Sequence, residues 1–206
     1  MEQRGNVSNI QKENFIEMAT MVFMHLDSTF KEERKRLFQS AVKGEWDEVL
    51  QSCTKATWPL CIRITKSLDS LFHLAANNKL EDIFEKLLQN LSPLPQPKGS
   101  RYAMMGLEMA NKKGNNALHI AASIGNVNLC HRIIQCTDSK LLSVCNNEGE
   151  APLFLAAVNG HKDAFLYINK YYLQKEAGYP YCKRNDGETI LHVAISQEYY
   201  GKHFHA

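Results

Sequence analysis

The chain has 206 residues, of which 44% are apolar and 22% charged, a balance that excludes disorder along its whole length. Its formal charge of +2 is too small, and its basic residues too scattered, for a nucleic-acid-binding stripe. Six cysteines lack the Cys-x-x-Cys spacing that a structural zinc site favours, and they read as reduced thiols of a cytosolic protein.

In chain order, residues before Asn9 are expected to be disordered. From Ile10 to Phe30 the residues Phe15, Ile16, Ala19, Val22, Phe23 and Leu26 recur at spacings of three and four, the pattern of an amphipathic capping helix. Its polar side is not strongly basic, which argues against a membrane-surface helix. The apolar stretch Phe15 to Leu26 is interrupted by Glu17 and His25, so it reads as neither a signal peptide nor a membrane span. The run Lys31-Glu32-Glu33-Arg34-Lys35-Arg36 offsets its own charge and reads as a solvated helix face.

A phrase with a fixed grammar follows. It opens degenerately as Leu37-Phe38-Gln39-Ser40-Ala41 with Gly44, then sharpens to Ser70-Leu71-Phe72-His73-Leu74-Ala75-Ala76. It returns as Asn116-Ala117-Leu118-His119-Ile120-Ala121-Ala122 with Gly125, as Ala151-Pro152-Leu153-Phe154-Leu155-Ala156-Ala157 with Gly160, and as Thr189-Ile190-Leu191-His192-Val193-Ala194. The marker residues Leu37, Phe72, Leu118, Leu153 and Leu191 are spaced by 35, 46, 35 and 38 residues. A period of this size with occasional insertions indicates stacked helical repeats. The excess in the second step is the segment Ser92 to Ser100, where Pro93, Pro95 and Pro97 forbid a helix and favour an extended loop, followed by Met104, Met105 and Met109. A PxxP ligand and a finger inserted between repeats both fit that composition, the finger being the commoner. The fourth connection is lengthened and rich in tyrosine: Tyr167, Tyr171, Tyr172, Tyr179 and Tyr181.

The residue types explain why each phrase starts a helix. Ser70, Asn116 and Thr189 can accept from free amides at a helix N-terminus, and Pro152 suits the first helical position. The alanine pairs allow close approach of neighbouring helices, and Gly125 and Gly160 end the first helix with left-handed backbone. A second apolar helix follows, with Ile83, Phe84, Leu87 and Leu88, or Val127, Leu129, Cys130, Ile133 and Ile134, on one face. Ahead of three phrases lies a polar turn ending in Gly114, Gly149 or Gly187.

These phrases resemble the Thr-Pro-Leu-His signature of the ankyrin repeat family. Thr189-Ile190-Leu191-His192 matches it well and Asn116-Ala117-Leu118-His119 more loosely, over a region from Leu37 to Tyr200. The fourth copy replaces the polar pair with Ala151 and Phe154, a joint loss that leaves no partner unsatisfied. The resemblance implies an all-α ankyrin solenoid of about five helix-turn-helix units. On that map, 1–34 form a tail and capping helix and 35–206 the repeat domain. Its repeats lie near 35–66, 67–91, 111–145, 146–183 and 184–206, the last incomplete, with a Pro-rich loop over 92–110. The first repeat and the stretch Glu188 to Ala194 further resemble plant ankyrin proteins of the membrane-anchored PGG type, which act in stress and defence signalling. In that subfamily the repeats precede transmembrane helices. The fifth repeat stops at Tyr199-Tyr200-Gly201-Lys202-His203-Phe204-His205-Ala206, where its second helix should begin. The expectation is therefore a truncated or short form, cytoplasmic as given and membrane-associated where the anchor is present.

An enzyme finds little support. Gly201-Lys202 and Gly160-His161-Lys162 lack the upstream glycine of a phosphate loop. His73, His119 and His192 occupy the same place in separate repeats, which signals a structural role. His203 and His205 on a terminus make a weak metal clip, and Cys130 and His131 point about 100° apart on a helix. No cofactor, metal or small-molecule substrate is expected, and an enzyme with a site in the Pro-rich loop is a remote alternative. Binding of a protein partner is the leading expectation, with a competing regulatory short form as the alternative.

Carried over by the resemblance, the partner-binding positions are Lys112, Lys113, Asn115, Ser123 and Ile124 in the third repeat. In the fourth they are Asn147, Glu148, Glu150, Val158 and Asn159, and in the fifth Asn185, Asp186, Glu188, Ser196 and Gln197. The row runs from basic to acidic, which would steer a partner of opposite polarity.

Overall fold

The computed structural model describes residues 28–56, 58–89, 104–174 and 183–196. Helices come in consecutive pairs: α1 (Ser28–Lys43) with α2 (Trp46–Lys55), then α3 (Leu71–Asn77) with α4 (Glu81–Gln89). After α5 (104–108), α6 (Ala117–Ser123) pairs with α7 (Val127–Cys136), α8 (Pro152–Val158) with α9 (Lys162–Gln174), and α10 (Ile190–Ser196) closes the series. Single 3-10 turns lie at Trp58–Cys61 and Lys140–Ser143. Among the described residues there is no strand, only an isolated bridge between Lys183 and Thr189.

The first helices α3, α6, α8 and α10 span seven residues each, too short to persist alone in water. They are held by capping and by stacking. Asn116 Oδ1 accepts from the amides of Leu118 at 3.0 Å and His119 at 3.1 Å, and Ser70 Oγ caps α3 in the same manner. Ala151 offers no side-chain cap, and Pro152 at the first helical position removes one of the donors that would need it. Inner helices stack α3 on α6, α6 on α8 and α8 on α10, while the outer row stacks α2 on α4 and α7 on α9. Ala75, Ala76, Ala121, Ala122 and Ala156 are fully buried where these rows meet. The outer helices turn one apolar face inward: Phe84 and Leu87 in α4, and Leu129, Cys130, Ile133 and Ile134 in α7. The result is the all-α solenoid that the repeat grammar implies.

Two boundaries differ from the sequence reading. The division after residue 34 falls inside α1, which runs unbroken from the charged segment into the first phrase, because no glycine or proline interrupts it. The inserted loop 92–110 is also too long. Residues 104–108 are helical, with Leu107 fully buried four residues before the Asn111 turn, as Leu142 stands before Asn146 and Cys61 before Thr65. Gly106 there packs so tightly that a Cβ would lie 2.7 Å from the Phe72 ring, so this segment belongs to the repeat framework.

The part of the expected capping helix up to residue 27, the prolines Pro93, Pro95 and Pro97, Tyr179, Tyr181, Cys182 and the segment 197–206 with His203 and His205 lie outside the described residues. No helix among the described residues is long and apolar enough to cross a membrane.

Candidate protein-interaction surface

Four homologous turns project from the stack at 65–69, 111–115, 146–150 and 184–188. Each closes on itself: Asn111 N donates to Asn115 O, and Asn146 N to Glu150 O, both at 2.9 Å, and Arg184 N to Glu188 O at 2.8 Å. Asn111 Oδ1 also accepts from the amides of Lys113 and Asn115, and Asn146 Oδ1 from those of Glu148 and Glu150. Gly114, Gly149 and Gly187 take positive φ, as expected.

Neighbouring turns are stitched tip to tip. Asn147 donates its amide to Lys113 O (3.1 Å) and its side chain to Lys112 O (3.0 Å), and Asn185 repeats this on Glu148 O and Asn147 O, both at 3.0 Å. A second ladder runs beneath: Asn111 Nδ2 donates to Asp69 Oδ1, and Asn146 Nδ2 to Asn115 Oδ1, each at 2.9 Å. The histidines add a third. His73 holds Ser70 Oγ through Nδ1 and Asn115 O through Nε2, both at 2.8 Å. His119 holds Asn116 Oδ1 at 2.8 Å and, across the repeat boundary, Glu150 O at 3.0 Å. His192 Nδ1 meets Thr189 Oγ1 at 2.9 Å. His73 and His119 thus each tie the cap of their own repeat to the turn of the next, and burial lowers the pKa of His73 and takes that of His119 down to about 4.

Lys112 and Lys113 are exposed at the tip of the third-repeat turn, and Glu148, Asp186 and Glu188 at the tips that follow. Asn147 and Asn185 are exposed too, but their side chains are engaged in the stitching, and Asn115 is half-buried in the second ladder. Along the inner helix ends, Ser123, Ile124 and Val158 are half-buried and Asn159 and Ser196 exposed. Ser123 Oγ donates back to Ile120 O, Asn159 Nδ2 to Leu155 O and Ser196 Oγ to Val193 O, so these polar groups are met by their own helices. Gln197 lies outside the described residues.

Glu150 is a correction. It is buried, accepts from Asn146 Nδ2 at 2.9 Å and lies 3.2 Å from Arg184 Nε, so it is a rung of the second ladder and not a contact for a partner. Arg184 is the residue the sequence reading missed. Its Nη2 lies 2.8 Å from Glu148 Oε2, its Nη1 2.9 Å from Glu188 Oε2, and its guanidinium sits 5.8 Å above the Phe154 ring. The signal was available, because Arg184 occupies the place of Asn111 and Asn146 in its turn. The acidic end of the row therefore carries a cation at its centre.

Among the described residues no three His, Cys, Asp or Glu side chains are placed to hold a metal ion. Cys53 and Cys130 are buried, and desolvation pushes their thiols up to about 12, which suits small apolar core groups and not nucleophiles.

The family described as Ankyrin repeats (3 copies) matches residues 71–177, which contain the third and fourth phrases and all of the second but Ser70. Human transient receptor potential cation channel subfamily A member 1 is 33% identical over 91 residues, 44% of this chain but 8% of that protein's length. The repeat period, the helix pairs, the stitched turns and this match agree: the chain belongs to the ankyrin repeat family.

Proposed function

We propose that the chain is a non-catalytic scaffold that binds a protein partner along its turn tips and inner helix ends. Ankyrin repeats are in general protein–protein interaction modules. The observation that carries it is the stitched row of tips, basic at Lys112 and Lys113 and acidic at Glu148, Asp186 and Glu188, held in register by the asparagine bonds. A row held in register, basic at one end and acidic with Arg184 among its carboxylates at the other, selects a partner of opposite polarity and speeds its encounter.

The finer reading is a cytoplasmic role in plant stress or defence signalling, membrane-associated where a family-type transmembrane region is attached. It rests on the likeness of the first and fifth phrases to PGG-type proteins. A short form competing with anchored relatives for the same partner is the second reading. Cross-linking in cells followed by identification of captured proteins tests the binding surface. Lys112→Glu with Lys113→Glu should lose a defined set of partners at low salt, whereas Lys170→Glu on the outer helix α9 should keep it. Equal capture by both variants would refute the surface. Fractionation of tagged protein between cytosol and membrane separates the two finer readings.

A further inference from the structure

We infer that the fifth repeat is held by an electrostatic latch centred on Arg184, and that it opens as a unit when this latch is screened. At the third-to-fourth junction Leu118, Ala121 and Ala122 are 0% exposed and His119 reaches across to Glu150 O. The last junction is built differently. Its apolar side is as well covered, with Leu153 1% and Ala156 0% exposed and Ile190 packed against the core, but Phe154 stands where His119 does, so no imidazole reaches across to the next turn.

Contacts made by the turn stand in for that bond. Four carboxylates converge on one guanidinium: Glu148 at 2.8 Å and Glu150 at 3.2 Å from the fourth repeat, Glu188 at 2.9 Å and Asp186 at 3.9 Å from the fifth. Arg184 joins the two repeats and also cancels the repulsion those carboxylates would otherwise exert across the junction. Removing the cation converts an attraction into a like-charge cluster. Asn185 adds two bonds to the fourth-repeat backbone, and the Arg184 guanidinium covers the fully buried Phe154. Glu148, Asp186 and Glu188 are exposed, so mobile ions reach them. Their pull on Arg184 therefore weakens as the screening length falls from about 30 Å at 0.01 M salt to about 3 Å at 1 M. Opening bares Phe154 and makes α8 the end of the stack.

Hydrogen exchange of the full chain by mass spectrometry tests this between those two salt concentrations. Residues 183–196 should exchange about tenfold faster at high salt, a change of about 1.4 kcal/mol, while 117–136 keep their protection. Arg184→Gln should make 183–196 exchange fast at both salts. Glu148→Gln with Glu188→Gln, which leaves the cation and Glu150 in place, should flatten the salt dependence without unfolding the remaining repeats. Salt-independent exchange of 183–196 in the wild type, wild-type salt dependence in the double variant, or simultaneous opening of 117–136 would each overturn the latch.

Discussion

At the residue scale, the polar side chain before each imidazole decides how well its cap is satisfied. Ser70 and Thr189 carry hydroxyls, which accept from a helix amide and donate to the imidazole Nδ1 at once. That leaves the proton of His73 on Nε2, where it donates to Asn115 O. In the third repeat the partner is an amide oxygen, which can only accept. Asn116 Oδ1 stands 2.8 Å from His119 Nδ1, while Glu150 O claims the proton on the far side of the ring. Asn116 Nδ2 is buried with no partner. Threonine would repair both faults, so Asn116→Thr should stabilise the protein by about 1 kcal/mol. Asn116→Ala, which removes the cap, should cost about 1 kcal/mol. Urea denaturation of the two variants checks the pair of signs, and a destabilised threonine variant would contradict this account of the cap.

At the element scale, the turns obey a rule that couples neighbouring repeats. A Cβ on Gly114 would lie 2.6 Å from Asn147 N, so that turn requires glycine both for its positive φ and for the approach of the next asparagine. The second-repeat turn carries Leu68 at φ 64° in the same place, and the next turn answers with Lys112 instead of asparagine. Leu68 therefore has room but not a comfortable backbone, since left-handed φ costs an L-residue about 1–2 kcal/mol. Allowing for the greater entropy of glycine in the unfolded chain, Leu68→Gly should raise stability by about 0.5–1 kcal/mol, read from the thermal midpoint. The caps, glycine turns and apolar faces were legible because each depends on residues close in sequence. The helix at 104–108 was not, because the prolines before it mask the register and its burial depends on Leu60 and Phe72.

At the scale of the whole molecule, buried histidines tie the repeats into one cooperative stack and make it acid-sensitive. Burial is the main cause of the lowered pKa of His73 and of His119, the latter falling from 6.5 to about 4. Because the folded values lie below the unfolded one, the stabilisation is fully present above pH 6.5 and is lost as pH falls towards 4. For His119 alone the loss is about 1 kcal/mol by pH 5.5 and about 3 kcal/mol by pH 4, a large part of a typical domain's stability. Urea midpoints across this range should fall accordingly, and His119→Gln should flatten the slope; a parallel slope in that variant would place the acid sensitivity elsewhere.

The phrase, its period and its helix signals fixed the family and the paired-helix solenoid, because a repeat module is specified by contacts within itself and with a like neighbour. Which polar residues of the turns stay exposed was decided by the tertiary structure alone. Glu150 and Glu148 are two positions apart in one turn, yet one is buried as a rung and the other exposed at a tip. Arg184, 34 residues beyond Glu150 in sequence, closes on both only when the fifth repeat docks. Charge compensation across a repeat boundary depends on the stacking distance and the turn register, which no local pattern of residues encodes.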